Sequence, residues 1–178
     1  MSLVKHSADV FIAKGPVASI GKAEIETLKA AVDGSTHGRV RINAHDGGED
    51  RLHEMFIALK ADSYIRPHKH PGKSEAFHLV HGAVDIVILT DEGSIQEVVR
   101  LAAGDPERAF YYRLSAPFYH TLLIRSDILV IHEITNGPFR REDTVFAPFA
   151  PTDNEKEAAA TYMRRLDEQV SARPASAQ

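Results

Sequence analysis

The sequence predicts an all-β core, a sandwich or barrel, with one helix before it and one after it. Three observations carry this. From residue 53 onward, short β-type runs recur about every ten residues, separated by Gly, Pro, Asp and Ser. Helical periodicity is confined to 22–33 and to the stretch after Pro151. The chain has 178 residues, the size of one domain, and 43% are apolar, enough for a substantial core.

The elements follow in order. Val10-Phe11-Ile12 is a short apolar run that suits a strand at a sheet edge. Residues 22–33 read as a helix, with Ile25, Leu28 and Val32 on one face and acids early. Residues 39–45 alternate: Arg39, Arg41, Asn43 and His45 on one face, Val40, Ile42 and Ala44 on the other. On the alternation alone, the polar face is a solvated one. Then come the β runs HEMFIALK, SYIRPHKH, EAFHLVH, AVDIVILT, IQEVVRL, AFYYRL, YHTLLIR and DILVIHEI. The stretch TNGPFRREDTVFAPFAP is expected to run along the outside. Thr152 with Glu155 forms a capping-box pattern that opens the last helix. Ala159, Tyr162, Met163, Leu166 and Val170 give that helix an apolar stripe, for this domain or a partner subunit. The organisation expected is 1–38 as an N-terminal extension, 39–150 as the barrel, 151–170 as the C-terminal helix and 171–178 as a disordered tail.

Composition excludes several functions. There are 21 basic and 25 acidic residues, a net charge of −4, with no basic run, so no nucleic-acid partner is expected. No window is apolar enough to span a membrane, and the N-terminus lacks a signal peptide's apolar region. Cysteine is absent, which removes disulfides, thiolate ligands and thiol nucleophiles. A cytoplasmic protein is the expectation. No Gly-rich phosphate loop, nucleotide fingerprint or nucleophile elbow is present.

The chemistry concentrates in Ile65–Gly82, IRPHKHPGKSEAFHLVHG. His68 and His70 lie two apart, which puts them on one face of an extended segment. Pro67 and Pro71 favour that extension by keeping the residues before them out of the helical region. Pro71-Gly72 makes a turn, and Glu75 on the next run can fold back over the histidines. Two imidazoles and a carboxylate on one side of a hairpin suit a divalent transition metal: Zn, Ni, Fe, Mn or Cu.

Residues 62–82 fit the first cupin motif, G-x5-H-x-H-x4-E-x6-G, at every spacing, with Asp62 in the leading glycine position. From about Val40 to about Pro151 the wording resembles the WbuC family of cupin-fold metalloproteins, which are often associated with surface-polysaccharide gene clusters. In them a similar Arg/Asn/His stretch precedes the barrel, which gives the polar face of 39–45 a second reading, overhanging the pocket rather than simply solvated. The resemblance implies a cupin double-stranded β-helix, that is, a jelly-roll barrel, between the two helices. It also implies a fourth ligand, His120, from a second motif only partly kept: Ser115, Pro117 and Ile124 replace its proline, glycine and asparagine. The implied metal ligands are His68, His70, Glu75 and His120. Strand parity adds Arg66, Tyr64, Phe77 and Glu133 as candidates for substrate contact. Arg66 would bind a carboxylate or phosphate. His78 falls on the opposite parity.

The function expected is a metal-binding cupin acting on a small polar or anionic molecule, such as a sugar or sugar nucleotide. The alternatives are a metal-dependent dioxygenase using the same ligands and a non-catalytic ligand-binding or sensor protein. No catalytic residue is assigned. A homodimer is expected, since cupins commonly associate through their sheets.

Overall fold

The computed structural model describes residues 1–173. Twelve strands form two sheets. The first is β1 (Ser2–Lys5), β2 (Val10–Lys14), β3 (Arg39–Asn43), β4 (Leu52–Lys60), β11 (Ile128–Asn136), β6 (Glu75–His81) and β9 (Tyr111–Leu114), in that spatial order. The second is β12 (Val145–Phe146), β5 (His68–Lys69), β10 (Tyr119–Ile124), β7 (Ala83–Leu89) and β8 (Ile95–Ala102). Only β2 with β3 pairs in parallel among the named strands. The two sheets face each other as a cupin-type jelly roll.

Alternation decides what each face meets. Phe77, Leu79, Leu129 and Ile131 of the first sheet pack on Ile86, Ile88, Leu101 and Leu122 of the second. The residues between them point outward: Val87 and Val130 are covered by helices, and His78 is exposed. Helix α1 (Lys22–Val32) lays Leu28 and Val32 on Val40, Ile42, Ala58 and Val130 behind the first sheet. Helix α2 (Lys156–Ser171) lays Leu166 and Val170 on Val87, Leu89 and Leu123 behind the second. Its apolar stripe is therefore covered by this chain.

Gly82, the last glycine of the H-x-H motif, sits between β6 and β7 at φ +86°. A Cβ there would lie 2.6 Å from the Ile128 carbonyl oxygen. Both the left-handed backbone and the close approach require glycine.

Four expectations need correction. The run SYIRPHKH gives only the two-residue strand β5. Pro67 has no N–H to donate to a ladder. The extended segment is held by its carbonyls instead: Ile65 accepts from Thr121 Oγ1 at 2.5 Å and Pro67 from the Ala147 N–H at 2.8 Å. The last helix begins at Lys156, not Thr152, because Thr152 and Glu155 bond to each other in the preceding turn. Residues 171–173 are not a free tail: Ser171 ends the helix, and Arg173 donates to the Ile95 carbonyl at 3.1 Å. The rest of that tail, 174–178, lies outside the described residues. Finally, the stretch after β11 stays at the surface, with Phe139, Val145 and Phe146 exposed, but it is more than a covering loop. It turns back through a 3-10 turn at Arg141–Asp143 and adds β12 beside β5.

Candidate metal centre

The site is assembled by register. His120 on β10 pairs directly with His68 on β5, so the two imidazoles lie side by side, with ring centroids 4.5 Å apart. His70 follows one residue after β5, 4.9 Å from the His68 ring. Glu75 opens β6 on the facing sheet. One ligand atom from each of His68, His70, Glu75 and His120 lies within 4.8 Å of all the others. Both sheets thus supply donors to one point.

The remaining ring nitrogens fix which atom faces that point. His68 Nδ1 lies 2.8 Å from the Arg66 carbonyl, and His120 Nδ1 lies 3.2 Å from the Phe118 carbonyl. His70 Nδ1 lies 3.3 Å from the Asp143 carbonyl, beside the Thr144 hydroxyl. A carbonyl only accepts, so each Nδ1 carries the hydrogen and each Nε2 presents a lone pair. This is the outer support a metal-binding histidine needs, and it sets tautomer and ring direction together.

The donors also fit a cation by what they lack. Glu75 Oε1 and His120 Nε2 are buried, 3.1 Å apart, and neither has a hydrogen-bond partner. Two lone pairs in contact repel unless a proton or a metal ion lies between them. Burial opposes charge on both groups, but their mutual attraction is stronger. Glu75 is held below the usual carboxylate range by His120, His70 and His68, and His120 is held above the ordinary imidazole value by Glu75. Burial, with the charge of His120, pushes His68 down to about 4.

The donors open into a cavity of about 900 Å³. Arg66, Tyr64, Phe77 and Glu133 all line it. Arg66 donates from Nη2 to the Ala147 carbonyl at 3.1 Å and lies over the Phe146 ring, 5.0 Å from its centroid. Its Nε is buried and has no partner. The Tyr64 hydroxyl donates to the Pro151 carbonyl at 2.8 Å, and its pKa is raised, first by burial. Phe77 packs against Tyr112 as wall. Burial, with the charge of Glu75, pushes the Glu133 carboxyl well above the usual range, against the pull of Arg41. His78 and His81 are exposed.

Two sets of lining residues carried weaker signals in the sequence. Arg39, Arg41, Asn43 and His45 face the cavity, which decides between the two readings of their strand. The opposite face, Val40 and Ile42, is taken by α1. Phe139, Asp143, Thr144 and Phe146 reach the rim from the returning stretch. The signal available there was the pair of apolar residues Val145-Phe146 in a proline-bounded loop, too short to read as a strand.

Residues 20–101 match a family model described as a domain of unknown function, DUF6016. The match takes in His68, His70 and Glu75 and stops before His120. No curated protein matches the chain. Among solved structures, the chain is similar to protein SO0799 from Shewanella oneidensis, at 12% identity and a TM-score of 0.54, over 79% of this chain and 90% of that one. It is similar to CapF, solved with the inhibitor 3-isopropenyl-tropolone, at 17% identity and a TM-score of 0.50, over 63% of this chain and 32% of that one. A sugar phosphate isomerase of the cupin superfamily from Silicibacter pomeroyi is 22% identical, with a TM-score of 0.44, over 62% of this chain and 64% of that one. No helix among the described residues is long and apolar enough to cross a membrane. At these identities the likeness is one of fold.

Proposed function

We propose that the protein is a metal-dependent, WbuC-like cupin acting on a small polar, anionic molecule of the sugar or sugar-nucleotide class. The observation that supports this most is the convergence of four donors, three of them oriented imidazoles, at one end of a polar-walled cavity. A divalent ion held by His68, His70, Glu75 and His120 would supply Lewis acidity toward a carbonyl or hydroxyl oxygen.

The protein's own groups do the rest. Nδ1 hydrogen bonds to Arg66, Phe118 and Asp143 carbonyls keep the three rings aimed at the centre. Arg66, with an unpartnered Nε and a ring beneath it, orients an anionic group at the rim. Glu133, held protonated more readily than an ordinary carboxyl, can hold or give up a proton inside the cavity. Phe77 supplies apolar wall to the cavity, with Tyr112 packed behind it.

The test is metal analysis of purified wild type, followed by substrate screens in air and without oxygen. Stoichiometric metal with turnover of a sugar-like acid in both atmospheres supports the proposal. Turnover that needs and consumes dioxygen would replace it with an oxygenase. Saturable ligand binding with no turnover would replace it with a binding or sensor role.

A further inference from the structure

The wall opposite the metal donors carries a second set of groups that the proposed metal chemistry does not use. Arg39 and Arg41 stand two apart on β3 and share the cavity face. Both reach solvent, but Arg41 does so from inside the cavity, where burial and the charge of Arg39 lower its pKa against the pull of Glu133. Neither has a carboxylate within ion-pair distance among the described residues. Two other basic groups of the cavity differ: Lys73 is paired with Asp143 at 2.7 Å, and Arg140 with Glu49 at 2.8 Å, while Arg66 donates to the Ala147 carbonyl. Two neighbouring guanidiniums repel each other, and a shared oxyanion relieves that repulsion.

Two neutral groups complete the wall. Asn43 is the next cavity-facing residue on β3, and its Oδ1 is buried with no partner. His53, on β4, is 5% exposed and stacks on His45 at 4.1 Å between ring centroids. Its Nε2 is also buried without a partner. Unmet buried polar atoms cost stability unless a ligand or water meets them.

Register sets the distance between the two ends. From β3 to β6 the sheet runs β3, β4, β11, β6. Pairing puts Arg41 level with Ile57, Ile131 and Leu79, whereas Glu75 pairs with Thr135, farther along the sheet. Roughly 14 Å across the strands and roughly 13 Å along them put the Arg41 and Glu75 backbones about 20 Å apart, with Arg39 farther still. Long side chains leaning in from both sides shorten that span to the length of an extended molecule of sugar-nucleotide size.

We propose that Arg39 and Arg41 bind an oxyanion of the substrate, phosphate or carboxylate, while Asn43 and His53 read its hydroxyl groups. The substrate is then a polyhydroxylated small molecule with a metal-seeking oxygen at one end and an oxyanion at the other. This rests on the metal-dependent reading above and makes its substrate specific.

The experiment titrates metal-loaded protein with inorganic phosphate and, separately, with malonate, by calorimetry. It compares wild type, Arg39→Gln, Arg41→Gln, the double variant and Arg66→Gln, with metal content measured for each. At least one probe should bind wild type, and the probe that binds more tightly identifies the oxyanion. Its affinity should fall at least tenfold in the double variant at unchanged metal content, and by less in Arg66→Gln. A His120→Ala protein that has lost its metal should keep most of the probe affinity. The inference is overturned if neither probe binds wild type, if the double variant binds like wild type, or if affinity disappears with the metal. Failure of the metal reading is seen separately, as wild type without stoichiometric metal.

Discussion

Glu75 and His120 set the character of the centre, because their facing atoms are 3.1 Å apart and have no other partner. Replacing Glu75 with Gln keeps the shape and removes the charge. Metal affinity should fall by more than the roughly 10–100-fold typical of losing an outer hydrogen bond. His70→Ala should behave likewise. Metal analysis of the purified variants checks both, and wild-type metal content in either would refute the ligand assignment. Protons compete for the same atoms. His120 is held above its ordinary value of 6.5, as burial is outweighed by Glu75, so in acid a proton occupies Nε2. Each metal ion bound then releases that proton, and affinity rises about tenfold per pH unit until His120 is neutral. Because the pKa is raised, the rise should continue past 6.5. A chelator-competition series across the neutral range reads the slope, and a flat profile in acid would exclude His120. The first three ligands were legible because they lie within eight residues, at spacings that a hairpin converts directly into proximity. His120 lies forty-five residues beyond Glu75, in a motif that had lost its flanking residues, so only the resemblance named it. The carbonyls that fix the imidazoles were not legible, since every residue type carries one.

At the scale of elements, strands with strict alternation were legible and elements set by tertiary partners were not. Arg39–Asn43 read as a two-faced strand, but only the position of α1 shows that Val40 and Ile42 face outward. In β12 the pairing with β5 is a long-range event with no local pattern behind it. The attachment of α2 is a sharper case. Arg125, at the end of β10, donates to Asp85 of β7 at 2.9 Å and reaches Asp167 of α2 at 2.6 Å. The two carboxylates differ in exposure: Asp85 is 5% exposed, whereas the Asp167 side chain is 43% exposed. Removing one partner of a buried pair leaves a charge without compensation, whereas a surface pair contributes little. Arg125→Met should therefore cost about 2–3 kcal/mol, less than a fully enclosed pair because the arginine is partly solvated. Asp167→Asn should cost under about 1 kcal/mol. Urea unfolding of the two variants separates them, and equal small losses would mean that Asp85 is satisfied without Arg125.

For the whole molecule, the centre is a tie between layers. Glu75 comes from the seven-stranded sheet, His68 and His120 from the five-stranded sheet, and His70 from the turn that joins them. The apolar contacts between the sheets are concentrated around Phe77, Ile86, Ile88, Leu122 and Ile131, whereas the end that holds the donors opens into a cavity of about 900 Å³. At that end the sheets are spanned by polar groups rather than by packed side chains. An ion binding there favours the folded state only, because the unfolded chain scatters its donors. At free metal one hundred times the dissociation constant, the gain is about 2.7 kcal/mol. For a chain of this length that gain corresponds to roughly 5–10 °C in melting temperature. Thermal unfolding with added metal, and again after chelation, should show that difference in wild type. Glu75→Gln should remain folded and lose most of the increment, since it keeps the fold's packing and loses the charged donor that crosses between the sheets. An equal increment in both proteins would place the stabilising ion elsewhere on the molecule.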